Sequence, residues 1–147
     1  MGFRSAIFRL SSAAILGILP VLTSAAMAAE TGKIGVELND LQQTDVGCRA
    51  VFVLNNGFGK PLQKVTFSVV TFDAKQHATL FVSLDVGSLP VGKTRVLRFS
   101  LGKDVACANI SRLVLDDVTN CEGNGVTPAE CLGAVSLSTR TAAPFDF

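Results

Sequence analysis

Four cysteines, one histidine and one run of oxygen donors are the side chains whose types and spacing could do chemistry in this chain. The cysteines are Cys48, Cys107, Cys121 and Cys131. An even number in a chain with an export leader implies two disulfides, with three possible pairings. A zinc ion held by all four thiolates is the rival, but no Cys-x-x-Cys pair exists to nucleate one. Paired cysteines in an oxidising compartment leave no thiol nucleophile. His77 lies beside an expected turn, and no Gly-x-Ser-x-Gly elbow precedes a helix, so a Ser–His–acid arrangement has nothing to build on. The oxygen donors are Asp116, Asp117, Asn120, Glu122 and Asn124. A hard cation such as calcium takes about six to eight oxygens, and a loop pinned by a disulfide could present several. Their spacing is not that of the helix–loop–helix calcium site, and in a strand Asp116 and Asp117 should point to opposite faces. The expectation is no catalytic residue and no cofactor, with these five as the candidate ligands of a cation.

What must position these groups lies downstream of a leader. Arg4 and Arg9 form a basic start, Ala13 to Thr23 an apolar stretch, and Ala26-Met27-Ala28 a small-residue cleavage site. A membrane anchor would need about 20 apolar residues, and Pro20 interrupts this run. Residues 1–28 therefore read as a cleaved signal peptide, with no stable membrane anchor after cleavage. Of the 13 Lys+Arg, Arg4 and Arg9 fall in the leader, leaving 11 against 12 Asp+Glu, a net charge of −1 for the rest. Charges of both signs are interspersed, without the basic stripe of a nucleic-acid binder or the basic amphipathic face of a membrane-surface helix. Ten Phe with no Trp or Tyr also weigh against a sugar-stacking platform.

From Thr31 onward, short apolar runs alternate with turn residues. Strands are expected over 33–38, 48–55, 65–72, 79–86, 94–101 and 110–118, with 132–137 as a seventh. The first puts Ile34, Val36 and Leu38 on one face, and the second does the same for Cys48, Ala50, Phe52 and Leu54. Thr127-Pro128-Ala129-Glu130 suits one short helical turn, with Pro at a first helical position. The fold class is all-β: a single antiparallel, immunoglobulin-like β-sandwich of six or seven strands over residues 29–138. A small closed barrel is the alternative. Residues 139–147 are expected to form a flexible tail.

Strand direction constrains the cysteines. If each connection reverses the chain, the second and sixth strands run the same way. Cys48 opens one and Cys107 shortly precedes the other, so both sit near one end. Cys121 and Cys131 flank the loop at the opposite end. The expected pairs are Cys48–Cys107 and Cys121–Cys131, worth at most about 4.3 and about 2.8 kcal/mol in the chain-entropy treatment.

Asn55-Asn56, Pro61-Leu62-Gln63-Lys64-Val65, Phe72-Asp73-Ala74-Lys75, Leu89-Pro90-Val91-Gly92-Lys93-Thr94 and Phe99 form a pattern of their own. It resembles the FxLYD-type domain, an immunoglobulin-like module of exported bacterial proteins. The name-giving run falls on Val69-Val70-Thr71-Phe72-Asp73 and matches at its aromatic–Asp end. The resemblance spans about a third of the chain and implies an interaction or accessory domain, with no catalytic residues to carry over. The chain is also similar to small secreted bacterial proteins of unknown function.

The functional expectation is a non-catalytic module, periplasmic or secreted, whose partner is another envelope or extracellular protein. Its candidate contact loops are Asn56–Lys60 and Glu122–Thr127, with strand addition at a sheet edge as a second mode. The alternative is a periplasmic protein that binds a small ligand or calcium through the Asp116–Asn124 region.

Overall fold

The structure is a computed structural model that describes Gly2 and residues 31–147. Apart from Gly2, the leader lies outside the described residues. Eight strands follow: β1 (Ile34–Thr44), β2 (Gly47–Asn56), β3 (Leu62–Phe72), β4 (Ala78–Leu89), β5 (Thr94–Lys103), β6 (Arg112–Gly123), β7 (Val135–Thr139) and β8 (Phe145–Asp146). A short helix, α1 (Pro128–Ala134), joins β6 to β7, and Cys107–Asn109 makes a single 3-10 turn before β6. The strands form two four-stranded sheets, ordered β5-β2-β1-β7 and β4-β3-β6-β8.

Alternation builds the space between the sheets. Ile34, Val36 and Leu38 of β1 are buried with Ala50, Phe52 and Leu54 of β2, and they meet Val65, Phe67 and Val69 of β3 in one cluster. Phe52 sits at its centre, edge-to-face with Phe145 at 5.6 Å and Phe99 at 6.1 Å. Such pairs add directional attraction to the area that the rings bury. Where β2 meets β5, Gly47 pairs with Lys103. Gly47 has φ 139°, and a Cβ there would collide with the Gly102 carbonyl, so only glycine lets the backbones come this close.

Three expectations are corrected. The sheets are mixed, not antiparallel: β1 pairs in parallel with β7, and β6 with β8. The reason for the first is α1, which carries the chain along one end and returns it beside β1 in the same direction. Helix α1 also occupies Leu132 to Ala134, where the seventh strand was expected to begin. Residues 139–147 are not a loose tail. Phe145 is 5% exposed and Ala143 7%, because the segment closes the gap between β7 and β6 and Phe145 fills the core beside Phe52. Arg112 holds its end through Asp146, Nη2 to Oδ1 at 2.7 Å.

The disulfides are Cys48–Cys107 and Cys121–Cys131, with Cα separations of 4.9 and 6.5 Å. These are the pairs that the strand directions call for, one at each end of the molecule. Among the described residues no cysteine is free, which fits an oxidising, extracytoplasmic environment. No helix among them is long and apolar enough to cross a membrane.

Candidate functional site

Strand direction sorts the connections into two groups. The β2–β3 loop, the β4–β5 turn and the β6–α1 loop lie at one end. The β1–β2 and β3–β4 turns, the β5–β6 connection and the β7–β8 segment lie at the other. Both expected contact loops fall at the first end, and the structure brings them together: Lys60 Nζ donates to the Gly125 carbonyl at 3.0 Å, 65 residues away. The Lys60 ammonium also stands 5.8 Å from the Phe58 ring centroid, a cation–π contact.

Beneath this surface lies Asn56, which is 0% exposed. Its Nδ2 donates to Lys60 O at 2.9 Å and to Leu89 O at 2.7 Å, and its Oδ1 accepts from Phe58 N at 3.0 Å. One amide thus fixes the β2–β3 loop and ties it to the end of β4. Its own backbone joins the β4–β5 turn, with Gly92 N donating to Asn56 O at 2.7 Å. The β6–α1 loop is fixed by the Cys121–Cys131 bridge and by a capping box on α1. Glu130 N donates to Thr127 Oγ1 at 3.3 Å, and Thr127 N donates to Glu130 Oε2 at 2.9 Å. That backbone bond, then the Thr127 hydroxyl and the nearby Lys60 charge, lower the Glu130 carboxyl below its ordinary value of 4.5.

The oxygen-rich stretch is arranged differently from expectation. Asp116 and Asp117 are both exposed instead of facing opposite sides. A bulge explains it: Ser68 pairs with Asp117 and Val69 with Leu115, so Asp116 is an extra residue. A second bulge follows, since Phe67 pairs with Val118 and Thr66 with Asn120. Asn120 and Glu122 meet, Nδ2 to Oε1 at 3.1 Å. Asp117 instead accepts from Val118 N at 2.7 Å, and Asp116 faces Ser68 Oγ at 3.4 Å. Asn124 is exposed on the loop beyond. Among the described residues no three His, Cys, Asp or Glu gather as a metal site would need.

His77 lies at the other end, its side chain 72% exposed, with Nδ1 3.5 Å from Asp73 Oδ2. Asp73 Oδ1 accepts from the backbone of His77 at 2.9 Å and Lys75 at 2.8 Å. The His77 N–H, then the Lys75 N–H and the adjacent ring, lower this carboxyl below its ordinary 3.8. A groove of about 620 Å³ opens here over Leu80, Val105 and Ile110.

Two features escape sequence reasoning. Glu37 alternates with Val36 and Leu38 and so belongs on the solvent side of its sheet, yet it is 4% exposed. The extra residue Asn39 bulges out of the β1–β2 ladder and donates to Glu37 Oε1 at 2.7 Å, while Arg140 Nε donates to the same oxygen at 3.0 Å. No sequence signal joins positions 37 and 140. Phe81 is the second, 75% exposed on edge strand β4. Here a signal existed: Phe81 is out of phase with Leu80, Val82 and Leu84.

No protein-family model matches the chain, and no curated protein or solved structure matches it.

Proposed function

We propose that this chain is an exported, non-catalytic interaction or accessory module on an immunoglobulin-like sandwich of the FxLYD kind. It acts in the periplasm or outside the cell, and its partner is another envelope or extracellular protein. The observation that carries the reading is the joining of Asn56–Lys60 and Glu122–Thr127 into one surface, held by Lys60, the buried Asn56 and the Cys121–Cys131 bridge. A rigid scaffold presenting loops in this way is how β-sandwiches commonly place recognition. The fold part of the reading is supported by neighbour order: β1-β2-β5 are contiguous in one sheet and β3-β6 in the other, as the corresponding strands are in immunoglobulin domains. The departures are β4, which pairs with β3 instead of lying beside β5, and β7, which pairs with β1 and leaves its usual place beside β6 to β8.

The test is site-directed photo-crosslinking of the full chain in the native envelope. A crosslinker at exposed Asn124 should capture a defined partner, and one at exposed Asn109, at the opposite end, should not. Equal background at both positions would remove the proposed surface.

A further inference from the structure

The two sheets meet along two lateral seams, and the chain covers one of them more fully than the other. On the β7/β8 side, residues 139–147 cover the core with Ala143 and Phe145. On the other side the edge strands are β4 and β5, and there the core residues Val82, Leu97 and Phe99 are only partly buried. Phe81 and Val96, 75% and 57% exposed, flank this opening.

The β4 edge is protected along only part of its length. Arg95 reaches over from β5 and donates to Val86 O at 2.7 Å and Ser88 O at 2.8 Å. Val86 is also a bulge, since Val65 pairs with Gly87 and Thr66 with Asp85. At the start of the strand Thr79 is another, since Thr71 pairs with Leu80 and Phe72 with Ala78. Between the bulges Leu80–Asp85 is regular, without Pro, Lys or Arg, and among the described residues no element outside its sheet hydrogen-bonds its backbone. Such an edge presents outward N–H and C=O groups as a template for another strand. By contrast, β5 carries Arg95, Arg98 and Lys103, and β8 is two residues long.

We infer that a second copy of this chain closes the open seam, by antiparallel pairing of β4 with its twin about a two-fold axis at Val82. The inference is independent of the loop surface proposed above. In a continued sheet, opposed residues must face the same side, so the axis falls on a residue. At Val82 it sets Val82 against Val82, Leu80 against Leu84 on the core side, and Phe81 against Ser83 outside, with the two Phe81 rings diagonal neighbours. At Ser83 it would instead press each Phe81 onto an Asp85 carboxylate. A six-residue ladder alone is small beside the roughly 1,200–2,000 Å² of a stable interface. The half-covered Leu97 and Phe99 beside it add apolar surface that the twin can bury.

Sedimentation equilibrium of the disulfide-intact protein from an exporting host should show a monomer–dimer equilibrium. Phe81→Lys sits at an exposed position, so its circular dichroism spectrum should stay native while dimerisation weakens by about tenfold or more, as like charges approach across the axis. Val82→Cys should give a crosslinked dimer on oxidation and Ser83→Cys should not. A protein monomeric at every concentration up to millimolar, a Phe81→Lys variant that dimerises like the parent, or crosslinking through Cys at 83 and not at 82 would each overturn the proposal.

Discussion

Replacing Asn56 by Ala should be among the most damaging single changes in this chain, while the same change at Asn55 should be nearly silent. Asn56 is fully buried, and its amide serves Leu89 O, Lys60 O and Phe58 N. Truncation leaves the buried Leu89 carbonyl without its amide donor, a cost of about 1–3 kcal/mol. The two loop partners lie nearer solvent, so each loses only the net worth of a hydrogen bond, about 0.5–1 kcal/mol. The sum is about 3 kcal/mol. For a domain of this size that lowers the thermal midpoint by about 10–15 °C. Asn55 makes one exposed bond, to Thr94 Oγ1 at 2.9 Å, and its loss should cost about 0.5 kcal/mol. Asn56→Asp should be worse than Ala at neutral pH, because a carboxylate oxygen would then face two carbonyl oxygens. A carboxyl held protonated in this way has a raised value in the folded state, so this variant should recover stability in acid and lose it as pH rises. Urea unfolding of the disulfide-intact proteins measures all three, with the denaturant slope as a check that only the native state was altered. A loss below about 1 kcal/mol for Asn56→Ala, or equal losses at positions 55 and 56, would refute the idea that this amide organises the loop end.

Removing the Cys48–Cys107 bridge as a Cys→Ala pair should destabilise more than removing Cys121–Cys131, by up to about 1.5 kcal/mol, since the first closes the longer loop; the reverse order in guanidinium unfolding would contradict the chain-entropy account. Glu130 is depressed by the Thr127 N–H, so its contribution is present above its unfolded value and lost as pH falls through the folded one. Glu130→Gln should therefore be less stable than the parent near neutrality, and in thermal scans the gap should close as pH falls through the lowered folded-state value of the carboxyl. Arg140→Ala leaves Glu37 buried without its cationic partner; about 2 kcal/mol is expected, below the range for fully enclosed pairs because the Arg140 side chain is 56% exposed. Adding Glu37→Gln to that variant should restore part of the loss.

What the sequence made legible was what local alternation encodes. The Ile34, Val36, Leu38 row and the Cys48, Ala50, Phe52, Leu54 row are both inward-facing as their period requires. Thr127-Pro128-Ala129-Glu130 carried a first-turn Pro, and α1 starts there. Alternation fails wherever a bulge shifts the phase. In β6 the core-facing residues are Leu113, Leu115, Val118 and Cys121; the last three are spaced three apart because Asp116 and Thr119 are each inserted. A period of two read across that stretch ends the strand at Val118 and sends the two aspartates to opposite faces. The tail misled for another reason. Phe145 has no alternating neighbours, and its burial depends on a cavity lined by Phe52, which no local pattern announces. Of the proposed contact surface, both loops were legible from their turn residues, but their joining was not, because Lys60 and Gly125 meet only after four strands have been laid between them.

The two ends of the molecule are held by different chemistry, and this bears on where binding can evolve. At the His77 end, Cys107 is bonded to Cys48, and its N–H donates to Gln43 Oε1 at 2.8 Å. The covalent link there ties the β5–β6 connection to the start of β2, and the hydrogen bond ties it to the end of β1. At the Asn56 end the covalent link closes only the short β6–α1 segment, and the other loops depend on one buried amide that oxidation does not touch. Gly59 and Gly125, at φ 85° and 65°, are confined to glycine by their backbone. Exposed residues outside these anchors, such as Asn124, carry none of the fixing bonds in their side chains and are free to vary in chemistry while Asn56, Lys60 and the bridge keep the backbone in place. A surface that can change its side chains without losing its shape suits recognition better than catalysis, which would need its groups fixed to within about 0.5 Å.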